Sequence, residues 1–246
     1  TEVEPQNIYS GEGVFIVSLT AKDNLGVENT FSQEVTVVEP AASAVADPIL
    51  INSDFTKQAK SSGSDCTCSG WINRSTGAQG ESTSGNGGSN NILKFDNDEN
   101  DAAYQEFAVQ PNADYTMKIV VSFDALSGGS FPSIFELRVL AGSGYFSGYT
   151  PAYYAEGIDF PQDDFGYTSI SQVEDAGNNL LLRKINHPND TSYITYDYTF
   201  NAGANTSVAL FMRGIGGDGT PSDDKGFLYN NGDEEIQIDS VIIEAQ

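Results

Sequence analysis

Short segments in which apolar and polar residues alternate recur along this chain, and clusters of Gly, Asn, Asp, Ser and Pro separate them. An alternation with a period of two puts one set of side chains on one face of a sheet, so each segment predicts a β-strand. Many short strands between turns are typical of an all-β antiparallel sandwich or jelly roll. The predicted strands are residues 13–23, 32–40, 49–55, 91–96, 103–110, 115–126, 134–141, 192–202, 207–215 and 235–245.

The acidic balance of the chain excludes several classes of partner. Among 246 residues, Asp and Glu total 35 and Lys and Arg total 11, which gives a net charge of −24. Binding nucleic acid or an anionic membrane requires a basic face, so neither is predicted as a partner. No run approaches the ~18 apolar residues of a transmembrane helix, so no membrane-spanning segment is predicted.

The chain divides into three regions. Residues 1–40 are a β segment, residues 41–48 are an Ala-rich linker and residues 49–246 are the main β domain. The first segment resembles the second half of a polycystic-kidney-disease (PKD) repeat, which is an immunoglobulin-like β-sandwich. The resemblance rests on Tyr9, Gly13, Phe15, Val17, Leu19, Asp23, Asn24, Gly26, Val35, Val37 and Val38. It implies a spacer with no chemistry of its own.

Two long insertions, residues 56–90 and 142–190, interrupt the strand spacing, and loops of this length are usually functional. The second begins "GSGYFSGYTPAYYAEGIDF", with six aromatic residues and one aliphatic residue. Aromatic rings can stack on the C–H faces of sugars, and Tyr adds a polar tip at little entropic cost. The stacking candidates are Tyr145, Phe146, Tyr149, Tyr153 and Tyr154. Alternatively, rings such as Phe146 and Phe160 plug the end of the sandwich. Tyr153 and Tyr154 are adjacent and cannot easily face the same way, so one of them is expected to be packed.

Other binding candidates are open to two interpretations. Trp71 is the sole tryptophan, and it is either a sugar platform or a core residue. Arg138 and Arg213 are scarce cations that could meet hydroxyl or carboxylate groups or form ion pairs. Gln105 could lie under a ligand or satisfy core backbone groups.

The ordered set of motifs in the main domain resembles the jelly-roll carbohydrate-binding modules of families four, sixteen and twenty-two. The matching motifs are "INSDF" followed by Trp71, "LKFDN" with "AYQEFAVQPNADYTMKIVVSFDA", and the final "IQIDSVIIEA". The resemblance implies a structural Ca²⁺ held by Asp54, Asp239 and backbone oxygen near Asn52. Thr56 stands where the family often has Glu. Calcium prefers such carboxylate and carbonyl oxygens.

A PKD repeat before such a module also resembles the surface glycan-binding lipoproteins of Bacteroidetes polysaccharide-uptake systems. That resemblance implies an extracellular, outer-membrane location and a glycan transporter as partner. Cys66 and Cys68 either form an i,i+2 disulfide or remain thiols, because neither zinc nor redox spacing is present.

The function predicted from these observations is non-catalytic polysaccharide binding. No acid pair sits in a distinctive motif, and the single His187 has no partner at catalytic spacing. A neutral, laminarin-type β-glucan is the first expected ligand, because cations are few. Alginate, bound by Arg138, Arg183, Lys184 and Arg213, is the alternative. A glycan-degrading enzyme and a structural adhesin are further alternatives.

Overall fold

The computed structural model describes residues 9, 11–38, 45–55, 70–84, 91–96, 100–126, 132–153, 163–216, 227 and 235–246. The predictions about Thr56, Cys66, Cys68, Tyr154 and Phe160 concern residues outside this part of the chain. The chain forms two compact units, Thr1–Ala44 and Val45–Gln246. In the described residues, no helix has the length and apolar character needed to cross a membrane.

The first unit contains an antiparallel pair of strands, β1 (Gly13–Lys22) and β2 (Glu28–Val37). The turn between them is held by Asp23, whose Oδ1 accepts hydrogen bonds of 2.8 Å from the backbone N–H groups of Leu25 and Val27. Gly26 has a φ of 86°, a conformation that glycine adopts without strain. The turn therefore falls where the sequence "DNLG" predicts it.

The second unit is an antiparallel β-sandwich, which confirms the predicted fold class. The first sheet has the strand order β10–β7–β12–β5–β4, and the second sheet has the order β3–β6–β11–β8–β9. The short β3–β6 pair is parallel, whereas the other pairs are antiparallel. The strands are β3 (Ala78–Gln79), β4 (Glu81–Ser84), β5 (Asn91–Phe95), β6 (Asp101–Ala108), β7 (Asp114–Phe123), β8 (Ile134–Ala141), β9 (Asn179–Asn186), β10 (Ile194–Asn201), β11 (Ser207–Ile215) and β12 (Ile236–Ala245).

The main core lies between the inner faces of the two sheets. In β7, alternate residues from Tyr115 to Phe123 are all buried, as a period of two requires. They belong to the same apolar cluster as Phe135, Leu137 and Val139 of β8. The alternation that predicted these strands is therefore the pattern that buries them.

A second apolar cluster lies on the outer face of the second sheet, under the long insertion. Tyr104, Leu140 and Phe211 project from three neighbouring strands, and Phe165 and Tyr167 of the insertion pack on them. A short helix, α1 (Ile170–Glu174), adds the buried Val173. Ser169 caps this helix by accepting a hydrogen bond of 3.3 Å from Gln172 N. The insertion therefore covers sheet surface that would otherwise be exposed.

Two local predictions were wrong. Residues 49–55 form turns and irregular backbone instead of a strand. Gln105 holds this segment: its Oε1 accepts a hydrogen bond of 2.9 Å from Ile51 N, and its Nε2 donates to Ile51 O at 3.1 Å. The edge strand β9, within the insertion at 142–190, was also not predicted. Of the two roles considered for Gln105, the structure supports satisfaction of the backbone.

Candidate functional site

The site is built from a buried carboxylate, Glu106, on the outer face of β6. Its side chain is 1% exposed. Oε1 accepts hydrogen bonds from the Tyr104 hydroxyl at 2.6 Å and from Gly166 N at 2.9 Å. Oε2 accepts hydrogen bonds of 3.0 Å from the Tyr149 hydroxyl and from Ala152 N. One carboxylate therefore joins β6 to two parts of the insertion, residues 149–152 and Gly166.

Burial changes the proton affinity of this group and its neighbours. Desolvation raises the pKa of the Glu106 carboxyl above its usual value, although the four hydrogen bonds act in the opposite direction. Burial and the nearby Glu106 carboxylate also raise the pKa values of Tyr145 and Tyr149. These phenols therefore stay protonated at neutral pH and can donate hydrogen bonds.

Three rings of the segment pack against one another at the end of the sandwich. The ring centroids of Tyr145 and Tyr149 are 5.3 Å apart, and those of Phe146 and Tyr149 are 4.9 Å apart. A Cβ added to Gly166 would overlap the Tyr145 ring, so this glycine makes room for the ring. Gly148, with a φ of 83°, permits the turn between Phe146 and Tyr149. The glycines of this sequence therefore allow the rings to pack closely.

These rings form one wall of an open groove of about 430 Å³, which we call the aromatic groove. The opposite wall is the turn between β10 and β11. Asn205 joins the walls, because its Oδ1 accepts a hydrogen bond of 2.9 Å from Ser143 N. The Tyr145 and Ser207 hydroxyls share a hydrogen bond of 2.9 Å. The described lining is Gly142, Ser143, Tyr145, Phe146, Ser147, Gly148, Tyr149, Pro151, Ala204, Asn205, Thr206 and Ser207.

The described lining of the aromatic groove is uncharged. Ring faces, hydroxyls and one amide line the groove, and its described residues include no carboxylate, histidine or cation. Phe146 is 40% exposed although its ring packs on that of Tyr149, so part of the ring surface faces the groove. Such a surface can stack on an apolar face and exchange hydrogen bonds with hydroxyls. Of the groups used in general acid–base catalysis, the described lining holds only the phenols of Tyr145 and Tyr149, whose pKa values are raised.

Tyr153 lies in a separate groove of about 350 Å³, with residues 46–49 and the end of β6. Its side chain is 45% exposed. Both grooves adjoin the same end of the second sheet, because Ser207 pairs with Ala108 of β6 and Val208 pairs with Ala141 of β8. Of the predicted stacking residues, Tyr145, Phe146 and Tyr149 are therefore together and Tyr153 is beside them.

The structure corrects the predicted ligand role of Trp71. Its ring is completely buried and packs on Phe55 with centroids 5.3 Å apart. The indole Nε1 donates hydrogen bonds to Ile51 O at 3.1 Å and Asn52 O at 2.9 Å. Trp71 is therefore a core residue, which was the second interpretation of the sequence.

Arg138 and Arg213 also lie beneath the surface, on the outer face of the second sheet. Glu136 Oε1 accepts hydrogen bonds from Arg138 Nε at 2.8 Å and Arg213 Nε at 2.9 Å. Burial acts to raise the pKa of Glu136, but the two guanidinium groups outweigh it and hold the pKa below its usual value. Arg213 Nη2 also donates to Glu174 Oε1 at 2.7 Å. The charges of these arginines are thus balanced within the protein.

The predicted calcium ligands fit only in part. Asn52 O already accepts hydrogen bonds from Trp71 Nε1 and, at 3.1 Å, from Phe55 N, so both of its lone pairs are used. Ser53 O accepts a hydrogen bond of 2.8 Å from Val241 N, which places the turn containing Asp54 beside β12. Asp239 occupies a bulge of β12. The described residues contain no group of three or more His, Cys, Asp or Glu side chains that could hold a metal.

The single histidine, His187, is buried and forms hydrogen bonds with two loops. The side chain is 8% exposed, its Nε2 lies 2.6 Å from Asp124 O, and its Nδ1 accepts a hydrogen bond of 3.0 Å from Asn189 N. The second bond assigns the neutral tautomer with the proton on Nε2. The ring therefore fastens the loop after β9 to the end of β7.

Comparisons with known proteins return only distant structural likenesses. No protein-family model matches the chain, and no curated protein is similar to it in sequence. A structure described as "CBM4 structure and function" has 12% identity and a TM-score of 0.35, over 63% of this chain and 70% of the other. A CBM22-1 xylan-binding domain from Paenibacillus barcinonensis has 10% identity and a TM-score of 0.39, over 83% and 97%.

An enzymatically active tailspike domain of bacteriophage CBA120 is also similar, with 8% identity and a TM-score of 0.37. That match spans 80% of this chain and 21% of the other. Binding modules and an enzyme thus have equally low scores, and no functional argument rests on them.

Sequence reasoning missed Glu106, Asn205 and Ser207, which hold the aromatic groove together. Glu106 had one available signal: it is the only charged residue in the strand sequence "AYQEFAV", at a position that faces away from the core. Asn205 and Ser207 belong to an ordinary turn and strand start. Nothing in their sequence context distinguishes them from other turn residues.

Proposed function

We propose that this protein binds a polysaccharide in the aromatic groove without cleaving it. The observation that carries the proposal is the Phe146 ring, 40% exposed on a groove whose other walls are hydroxyl and amide groups. A pyranose has flat C–H faces and a rim of hydroxyls, so it complements both features. Tyr149 is fixed from below by Glu106, so little entropy is lost when a sugar stacks beside it.

The lining favours a neutral sugar, with a laminarin-type β-glucan as the first candidate. A groove with no charged side chain among its described residues offers nothing to pair with a uronate or sulfate. The alginate alternative needs four converging cations. Two of these, Arg138 and Arg213, are instead paired with Glu136. Lys184 Nζ is also near this carboxylate, at 3.9 Å.

The proposal extends to the setting of the protein. A surface location on the bacterial outer membrane, with a glycan transporter as partner, follows from the resemblance of residues 1–40 to a PKD repeat joined to a binding module. Protease treatment of intact cells that express the chain tests this location. Degradation without cell lysis is the expected result, and protection of the chain until lysis would contradict it.

Affinity gels test the binding proposal directly. The full chain is run through gels that contain laminarin, xylan, alginate or a sulfated galactan, with a gel without polysaccharide as reference. Retardation by a neutral polymer that persists in high salt is expected. Retardation only by the anionic polymers, lost as salt rises, would favour the alginate alternative. If no gel retards the chain, polysaccharide binding is wrong.

A further inference from the structure

A larger groove, of about 780 Å³, lies between the edge strands of the two sheets, and we call it the edge groove. One wall is β9, the last strand of the second sheet, and the other is β10, at the edge of the first sheet. Leu180 occupies a bulge in β9, and bulges re-aim side chains at sheet edges. Leu182 is 38% exposed. Leu180 and Leu182 thus supply apolar surface to a groove that also has charged and amide side chains.

Arg183 lines this groove, and only some of its hydrogen-bond donors are used within the described residues. Its guanidinium carbon lies 5.3 Å from the ring centroid of Tyr198, and its Nη1 donates to Leu182 O at 2.9 Å. Its Nε and Nη2 make no hydrogen bond with the described part of the chain. A guanidinium fixed in this way presents a planar pair of donors, which suits adjacent hydroxyl oxygens.

Carboxylates line the same groove. Asp114 Oδ1 accepts a hydrogen bond of 2.8 Å from Asn201 Nδ2, and within the described residues Oδ2 has no such partner. Glu174, the acceptor of Arg213, is also part of the lining. Hydroxyl groups can accept from a guanidinium and donate to a carboxylate. The described lining has two carboxylates, Asp114 and Glu174, and two guanidinium groups, Arg138 and Arg183, so it has no excess positive charge to select an anionic ligand. The chemistry fits a neutral, polyhydroxylated ligand.

The edge groove and the aromatic groove are lined by neighbouring parts of the chain. Asn201 lines the edge groove, and Ala204 and Asn205, on the same turn, line the aromatic groove. On the other side, residues 142–144 pack on residues 176–178, and a Cβ added to Gly144 would overlap Asn178 Oδ1. We call these packed segments, residues 142–144 and 176–178, the ridge between the two grooves.

We propose that the edge groove is a second subsite for the same neutral polysaccharide chain, with Arg183 as its main donor. The protein then recognises an interior stretch of a long chain that crosses the ridge and not a chain end. This inference rests on the proposed function, because it takes the sugar in the aromatic groove as given.

The test compares long and short ligands on the full chain. Affinity gels measure binding to laminarin and xylan, and titration calorimetry measures binding to laminaritriose and xylotriose. Arg183→Ala is expected to weaken polymer binding about tenfold, the equivalent of one charge-assisted hydrogen bond, and to leave trisaccharide binding unchanged. Lys118→Ala is the matched control, because Lys118 is an exposed cation that is absent from both groove linings. Phe146→Ala is expected to weaken binding of both polymer and trisaccharide.

The outcomes separate the two proposals. If Arg183→Ala binds the polymer like the unmodified chain while Phe146→Ala does not, the second subsite is wrong and the proposed function stands. If Arg183→Ala weakens the polymer and the trisaccharide equally, the two grooves are not successive subsites and the inference is again wrong. If the unmodified chain binds neither neutral polymer, the proposed function and the inference that rests on it both fail.

Discussion

The Tyr149 hydroxyl donates a hydrogen bond of 3.0 Å to Oε2 of the buried Glu106. Through this contact, a residue of the second sheet sets the position of a residue in the aromatic groove. The same carboxylate accepts three further hydrogen bonds, two of them from Ala152 N and Gly166 N, so it joins the insertion to the sandwich at three points.

Glu106→Gln is expected to destabilise the protein. A glutamine amide has one acceptor oxygen for four donors, so buried N–H or O–H groups lose their partner, at a cost of about 1–3 kcal/mol. Urea denaturation of the variant measures the change in the free energy of unfolding. Glu244→Gln, on the exposed face of the first sheet, is the control and is expected to change little. An unchanged midpoint for Glu106→Gln would show that the carboxylate does not anchor the insertion.

Glu136 predicts a pH dependence of stability. Its pKa in the folded protein is held below the usual value by Arg138 and Arg213, despite burial. Its contribution to stability is therefore complete above the ordinary carboxyl range and is lost as the pH falls through the folded pKa. Glu136→Gln is expected to cost about 3–5 kcal/mol at neutral pH, because two buried guanidinium groups lose their counter-charge.

The measurement for Glu136 is a series of urea denaturations between neutral and strongly acidic pH. The difference in unfolding free energy between the unmodified protein and Glu136→Gln is expected to shrink as the pH falls. A difference that stays constant over this range would mean that the Glu136 pKa is not lowered in the folded state.

Gly166→Ala tests the packing under the aromatic groove. A Cβ at this position would overlap the Tyr145 ring, and overpacking of this kind costs about 1–3 kcal/mol. The variant is expected to unfold at a lower temperature and to lose polysaccharide affinity, since Tyr145 must move. Gly11→Ala is the control, because its Cβ would meet no atom within 4 Å. Equal melting temperatures for the two variants would contradict this packing.

Calcium remains a proposal for Asp54 and Asp239, on segments joined by the Ser53–Val241 hydrogen bond. Added CaCl₂ is expected to raise the thermal unfolding midpoint, and a chelator is expected to reverse the rise. Asp239→Asn should abolish the effect, whereas Asp197→Asn, on the first sheet away from this turn, should not. If calcium does not change the unfolding midpoint of the unmodified chain, the proposed calcium site is wrong.

Much of the fold could be predicted from the sequence, because burial in a sandwich leaves a period-two pattern. The segments 134–141 and 207–215 match β8 and β11 at both ends. Strand β9 was missed because "NLLLRKIN" is a short apolar run inside a polar, turn-rich insertion, and edge strands are buried on fewer sides. The "ILINSDF" motif contains apolar residues whose backbone is held by Gln105 instead of a sheet.

The site was predicted only in part. Tyr145, Phe146 and Tyr149 were predicted as candidates, because a turn-rich segment with this many aromatic rings is unusual unless the rings pack or bind a ligand. The position of Tyr153 in a separate groove depends on chain reversals that composition does not encode. The arginines were also interpreted as available to a ligand. The pairing of Arg213 with Glu136 was missed, because it is set by strand register and not by sequence proximity.

The central claim is that the exposed Phe146 ring binds sugar, and titration calorimetry of laminarin into the full chain tests it most directly. Phe146→Ala is compared with Leu126→Ala. Leu126 follows β7, its side chain is 39% exposed, and it lines neither groove. The expected result is binding by the unmodified protein and Leu126→Ala and a loss of about tenfold or more for Phe146→Ala, the value of one stacked ring. Equal affinity of all three proteins for laminarin would contradict the account.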